Sequence, residues 1–451
     1  MGEKMTSTFL GGLIICVLAG SFQYGWNVSN VNGPAGFIKE KLYPNLCVDK
    51  CLSDADSLEE TNPLYGKQCN STVLEDESCT VEEYTGFVKN QENQFSTAVS
   101  MFTVGGMAGS FSTTFMVTRF GRKGAQFVNC FASFIGGAFY VAAYYLSSHY
   151  CLLLARLAVG YFAGLATGIC PMYVIEISTA DFRGKAGVLP QLFITIGILT
   201  AQILAFPSIL GKASLWGWFM ALGSIPCIVW ILYSPKMVES PRYTLIEKNN
   251  SEQAQEDLQK LRGVEDVSGE LAELEEEAAK LKEMLSFKWQ LMIVCIAQMG
   301  QQLSGINAIF FYTNDIFKAA GFSVETSTMI SALVGLENVG MTFVSLAVIE
   351  KFGRTGLHVG GNVLMVIFCL GMFLCLKYLT AASFVPYLSI VCILGYIVGF
   401  ALGPGPVPWI WNSEYFPQRA RGPAGSVSCA LNWTAAFVVG KFFPIGTVSF
   451  I

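Results

Sequence analysis

The chain has 451 residues, of which 53% are hydrophobic and 14% charged, with a mean hydropathy of +0.49 and a formal net charge of −5. Soluble globular domains carry roughly 25% charged residues, so the composition excludes an ordinary soluble domain and reads as an all-α, polytopic membrane protein. The net charge says little about partners, because most of the acid sits in two hydrophilic insertions, and nothing in it calls for nucleic acid.

Apolar runs long enough to cross a bilayer recur near 9–30, 94–117, 124–146, 150–175, 187–208, 214–234, 288–313, 326–349, 357–379, 384–411 and 423–446. The first is too long for a signal-peptide core and lacks a small-residue cleavage site, so it reads as a retained helix. The insertions lie at about 35–92 and 235–286. They divide the chain into a first transmembrane half, 1–234, a linker, 235–286, and a second half, 287–451. Arg119, Arg122 and Lys123, then Arg183 and Lys185, Lys351 and Arg354, and Arg419 and Arg421 fall in alternate loops. By the positive-inside rule those loops, the N-terminus and the linker are cytoplasmic.

The first insertion is then extracellular. It holds Cys47, Cys51, Cys69 and Cys79, an even number in a disulfide-permissive compartment, with three pairings open. Asn70-Ser71-Thr72 in the same loop is a glycosylation sequon. The linker reads as helical: Leu271, Leu274, Ala278, Leu281 and Leu285 recur at steps of three and four among glutamates, as in a plug beneath the bundle. Only two histidines occur, His149 and His358, both near span ends. No metal-ligand spacing accompanies them, so neither a metal, a cofactor nor a catalytic residue is expected.

An internal repeat sets the architecture. Arg119-Phe120-Gly121-Arg122 returns as Lys351-Phe352-Gly353-Arg354, each after the second span of its half. Glu176 with Arg183 returns as Glu414 with Arg421, each pair after the fourth span. Two motifs recurring in order at nearly one offset indicate duplication of a six-helix unit. The glycine allows a tight turn between helices. The arginines and carboxylates are expected to pair across the interface of the halves at about 1 kcal/mol each, weak enough to break in a conformational cycle.

Gln301-Gln302-Leu303-Ser304-Gly305-Ile306-Asn307 places three amides and a hydroxyl inside a span. Hydrocarbon penalises unpaired polar groups, so the cluster should face a cavity or ligand. Amides donate and accept without charge, which suits a neutral, hydroxyl-rich ligand such as a sugar. In Gly403-Pro404-Gly405-Pro406-Val407-Pro408-Trp409 three prolines remove backbone donors, so a discontinuous helix, usable as a gate, is expected.

These motifs, with Glu239-Ser240-Pro241-Arg242 and Asn432-Trp433, resemble those of the facilitative glucose transporters, the sugar porter branch of the major facilitator superfamily. The resemblance implies two pseudo-symmetric six-helix halves and a hexose, most readily D-glucose, held between them in the plasma membrane. It implies sugar contacts at Gln191, Gln301, Gln302, Asn307, Asn338, Trp409 and Asn432. It also implies a cytoplasmic gating set of ion pairs drawn from Arg119, Arg122, Arg156, Glu176, Arg183, Glu350, Arg354, Glu414 and Arg421. Proton-coupled relatives carry an Asp on the first span where this chain has Asn27, which favours uniport; Glu337 is the one mid-span carboxylate that could reverse this.

The chain also departs from the pattern. Gln298-Met299-Gly300 precedes the Gln pair instead of Gln-Leu-Ser, and Ala401 and Ala436 stand where an acidic residue and an Asn are usual. After Arg421 there is room for one further span where the first half has two, so the twelfth helix is expected to be missing. That reads as a fragment of a longer chain in preference to a short isoform. The expected function is facilitative hexose transport, with a proton-coupled symporter or a non-transporting sugar receptor as alternatives.

Overall fold

The computed structural model describes residues 6–43, 81–179, 182–206, 208–280, 287–319, 321–378, 382, 384–416 and 418–448. The described residues form eleven long helical passages and contain no strand. We number them α1 (Ser7–Ser29), α2 (81–120), α3 (122–146), α4 (His149–Ile177), α5 (Leu189–Leu204) and α6 (Trp216–Lys236). In the second half they are α7 (288–319), α8 (Val324–Phe352), α9 (Arg354–Lys377), α10 (385–414) and α11 (Gln418–Val448). This is the expected all-α membrane architecture.

The boundaries differ from the hydropathy reading where polar residues can stay helical. The first insertion begins as a helix, Ala35–Leu42, and α2 starts at Val81, so helix reaches into both ends of 35–92. Cys47, Cys51, Cys69, Cys79 and the Asn70 sequon lie outside the described residues. Helices α2 and α3 form one run, Val81–Leu146, interrupted only at Gly121, where φ is +77°. The repeat-related Gly353 between α8 and α9 has φ of +74°. A side chain there would meet the left-handed penalty, so the repeated glycine is the residue that makes each turn possible.

Four helices are irregular at mid-membrane, and they are equivalent pairs in the repeat. α1 contains a π turn at Leu18–Phe22, and its counterpart α7 breaks between Leu303 and Ile306, with Gly305 at φ +91°. α4 carries Pro171 internally, and its counterpart α10 stops at Leu402 and resumes at Val407. The proline- and glycine-rich run Gly403–Pro408 therefore falls in a helix that lines the centre.

Beneath the first half pack three short helices, Pro241–Ile246, Ser251–Arg262 and Ser268–Lys280. Asn250 caps the second by accepting from Gln253 N at 3.0 Å, and Gly263 ends it at φ +70°. Leu271 and Leu274 pack with Leu245, Ala254, Leu258 and Val267, as the spacing predicts. Leu281 and Leu285 lie outside the described residues. The layer is tied to the bundle by Thr6 Oγ1, which donates to Leu261 O at 2.7 Å, and by Arg262, which donates to Ile177 O at 2.9 Å. We call this face the linker side and its opposite the far side.

Candidate functional site

The broken helices α7 and α10 meet at the centre, and each supplies what the other lacks. The break at Gly403–Pro406, with no N–H on Pro408 to reach Pro404 O, leaves main-chain carbonyls of α10 free. Gln301 Nε2 donates to two of them, Pro404 O at 2.9 Å and Gly405 O at 2.8 Å. The break also needs room: a side chain at Gly403 would place its Cβ about 2.0 Å from Leu357 O on α9. On α7, the Tyr396 hydroxyl of α10 donates to Ser304 O at 2.8 Å. Carbonyls freed inside a membrane are thus satisfied by side chains, the condition for a helix to break there.

The amides form a chain rather than a row of free contacts. Asn307 Nδ2 donates to Gln302 Oε1 at 2.6 Å, and Gln302 Nε2 to Asn432 Oδ1 at 3.0 Å. Asn432 Nδ2 lies within bonding distance of Gln301 Oε1 at 2.9 Å, Gln298 Oε1 at 2.8 Å and Gln298 O at 3.0 Å. Asn432 is 1% exposed. It sits behind Gln301 and Gln302 and does not line the central void, so it holds them in place where the resemblance implied a sugar contact. Gln298 belongs to the same network, which its motif context gave no reason to expect.

A void opens in front of these amides. Gln191, Gln301, Gln302, Asn307, Asn338 and Trp409 all line it, so six of the seven expected contacts converge. Asn338 is 1% exposed and neither of its amide atoms has a hydrogen-bond partner. Gln191, too, has no bond drawn to it by the surrounding protein and is half-buried. The apolar wall, Tyr24, Ile194, Ile198, Phe310 and Phe400, went unnamed at the sequence level. Helical spacing from Gln191 (to Ile194 and Ile198) and from Asn307 (to Phe310) would have found part of it.

Trp409 also lines two neighbouring voids that run toward the linker side, past Thr167, Pro171 and Ile175 of α4. On the far side the halves touch. Asn314 N donates to Asn32 Oδ1 at 3.3 Å, and Lys441 Nζ reaches α2 at Thr97 Oγ1 and Asn93 Oδ1, 2.6 and 2.8 Å away. Between the two, Trp433 packs at 5.3 Å from Tyr24 and 5.4 Å from Phe102, ring centre to ring centre. The site is therefore closed on the far side and continuous with voids on the linker side.

The charged set divides. Arg122 grips Glu176 twice, Nη2 to Oε1 at 2.9 Å and Nε to Oε2 at 2.8 Å, and Ser240 Oγ donates to the same carboxylate. Glu239 accepts from Arg122 N at 2.9 Å and Lys123 N at 3.1 Å. Burial pushes the Glu239 carboxyl above its ordinary range, although those N–H groups and the Arg122 charge oppose the shift. In the second half Arg354 donates to Glu414 at 3.0 Å. Both pairs form within a half, not across the interface as expected. Helix order explains this: the turn after the second helix and the end of the fourth are neighbours within each unit.

Five further members of that set lie elsewhere. Arg156 is fully buried in α4 toward the far side and is not in an ion pair. Its Nη1 donates to Asn27 O at 2.9 Å, its Nη2 approaches Val99 O at 3.4 Å, and its plane lies 4.6 Å from the Phe102 ring. A guanidinium has five donors, so carbonyls and a ring face can hold it without a carboxylate. Arg119 and Glu350 are exposed, with no ion pair among the described residues. Arg183 opens the turn before α5, and Arg421 lies in the first turns of α11 with its side chain outside the described residues.

Comparison with known proteins agrees with this geometry. A family model described as "Sugar (and other) transporter" matches residues 13–450. "Solute carrier family 2, facilitated glucose transporter member 5" of Homo sapiens is 34% identical over 464 aligned residues, covering 99% of this chain and 86% of the relative. Member 3 of the same series from Gallus gallus is 33% identical, covering 98% and 84%. Among solved structures, the partially occluded inward open conformation of the xylose transporter XylE from E. coli superposes with a TM-score of 0.74 at 21% identity, over 97% of this chain and 91% of that one. The proton:xylose symporter XylE bound to 6-bromo-6-deoxy-D-glucose gives 0.77 at 21% identity, over 98% and 89%. These two show the major facilitator fold.

Proposed function

This chain belongs to the sugar (and other) transporter family, and we propose that it is a facilitative uniporter of hexoses, D-glucose foremost, working by alternating access in the plasma membrane. The observation that carries the reading is the central void: six polar or indole side chains from both halves converge on it. A sugar fits the chemistry, since amides exchange hydrogen bonds with hydroxyls and the Trp409 indole offers a flat face to the ring. The moving bodies are residues 1–234 with the linker 235–286, and residues 287–451. The linker side is cytoplasmic, in keeping with its arginines and lysines.

Uniport rests on the first half. Asn27 cannot titrate, and Arg156 beside it is held by main-chain carbonyls. In reconstituted vesicles, uptake of labelled glucose should saturate, equilibrate without accumulating, and ignore a proton gradient. Galactose and fructose measured alongside rank the hexoses. Accumulation driven by an inward proton gradient would overturn uniport, and ligand binding without flux would leave a sugar receptor.

One observation favours the symport reading. Glu337 sits at the middle of α8, directly before Asn338, and its buried Oε2 has no hydrogen-bond partner. A mid-span carboxyl with an unpartnered oxygen is a candidate proton carrier. If gradient-driven accumulation is found, Glu337→Gln should abolish it while leaving exchange of sugar between the two sides. Accumulation that survives the substitution removes Glu337 from the proton path.

A further inference from the structure

The far-side ends of α2 and α11 carry an unusual contact for a membrane helix pair, a partly buried lysine within reach of several neutral oxygens. Lys441 Nζ lies 2.6 Å from Thr97 Oγ1, 2.8 Å from Asn93 Oδ1, 3.2 Å from Asn93 O and 3.4 Å from Ser96 Oγ. All four acceptors belong to the first half and the lysine to the second. The contact is continuous with packing just beneath it, where Gly440 sits against Phe311 and its carbonyl accepts from Tyr312 at 2.9 Å. At the linker-side end of the same two helices the counterpart among the described residues is a neutral bond, Thr114 to Ser426 at 2.8 Å.

The two ends therefore differ in kind. An ammonium donating to several oxygens makes charge-assisted bonds, roughly twice as strong as neutral ones. Alternating access requires α2 and α11 to part first at one end and then at the other. Parting them on the far side strips Lys441 of every acceptor it has on α2, whereas parting them on the linker side breaks a hydroxyl pair. We propose that Lys441 and the Asn93–Ser96–Thr97 edge form a clasp that holds the far side shut and biases the resting protein toward the state open to the linker side. The proposal rests on the transport reading for its functional meaning, but its structural content stands apart from it. Lys441 is a positioning residue here: it lies away from the central void and acts on which side the void opens to.

Water replaces much of what an opened lysine loses, so the net bias is about that of one charged hydrogen bond, near tenfold in the equilibrium between the two states. The test uses Lys441→Met, with Lys441→Arg and the double variant Ser96→Ala/Thr97→Val. In proteoliposomes Lys441→Met should lower the KM for uptake from the outside and raise the KM for efflux, moving their ratio by about tenfold. The double variant, which keeps the two Asn93 contacts, should shift the ratio less and in the same direction, and Lys441→Arg should stay near the parent. Backbone hydrogen exchange on the purified protein gives a readout that needs no transport: residues 89–100 and 436–442 should exchange faster in Lys441→Met, with the linker-side ends unchanged.

Unchanged exchange at those far-side ends in both Lys441→Met and the double variant overturns the clasp. So does an equal loss of flux in both directions with no change in the KM ratio. If the parent protein moves no hexose in either direction, the transport reading fails, and the exchange measurement alone decides the clasp.

Discussion

The two halves solve the same local problem differently. Each places an arginine from the turn after its second helix against a glutamate at the end of its fourth. In the first half Arg122 and Glu176 keep 8% and 1% of their side-chain surface, share one hydrogen bond and a second ionic contact, and are covered by Ser240 and Glu239 from the linker. In the second half Arg354 and Glu414 keep 34% and 40% and share one hydrogen bond. The linker lies under only one of two equivalent positions. Duplication thus supplied a pair of identical cues, and an unpaired segment made one a buried, rigid joint and left the other a solvated contact.

That contrast is open to measurement, and the largest effect is expected at Glu176. Replacing it with Ala strands a buried guanidinium, which typically costs about 3–5 kcal/mol. The thermal midpoint in detergent should fall steeply; a midpoint close to the parent's would mean the first-half joint is no stronger than the second's. Next come two glutamines of the void, one from each half. Gln301→Ala frees two carbonyls and an Asn432 donor, so it should both lower the midpoint and raise the KM for glucose by about tenfold or more. Gln191→Ala removes a side chain that nothing else leans on, and should raise KM with the midpoint unmoved. Equal behaviour of the two variants would erase the distinction between a knitted and a free amide. The smallest effect belongs to Arg354→Ala, at about 0–1 kcal/mol and further reduced by salt. A loss there comparable to that at Glu176 would invert the comparison.

Much of this was legible beforehand, for physical reasons that can be named. The eleven passages follow from runs that only a bilayer accommodates, and the repeated turns from glycines that take the φ values of +77° and +74°. The amide cluster declared itself because polarity in a span must be satisfied by something. What satisfies it was not legible. Gln301 and Asn432 spend their donors on carbonyls and on each other, and spacing along a helix carries no record of a neighbour on another helix. Arg156 was misread for a related reason: charge suggests an ionic partner, yet carbonyls exposed along packed helices serve as well. Arginine–glutamate pairing was anticipated, but across the halves; the partnership of Arg122 with Glu176 inside one half, and its burial under a segment far along the chain, were not legible.

The bonds from Gln301 to Pro404 and Gly405 have a consequence for how tightly any ligand can be held. A primary amide has two N–H groups, and both are already engaged. A hydroxyl that captures one must displace a carbonyl of the broken helix, so the gain is the difference between two similar bonds rather than the whole of one. Binding at this side chain is an exchange of one hydrogen bond for another. For a carrier that must release its cargo as readily as it takes it up, weak net attraction combined with a strict demand for a correctly placed oxygen separates selectivity from affinity. The proline-broken helix, by offering carbonyls that the ligand has to outcompete, sets that balance.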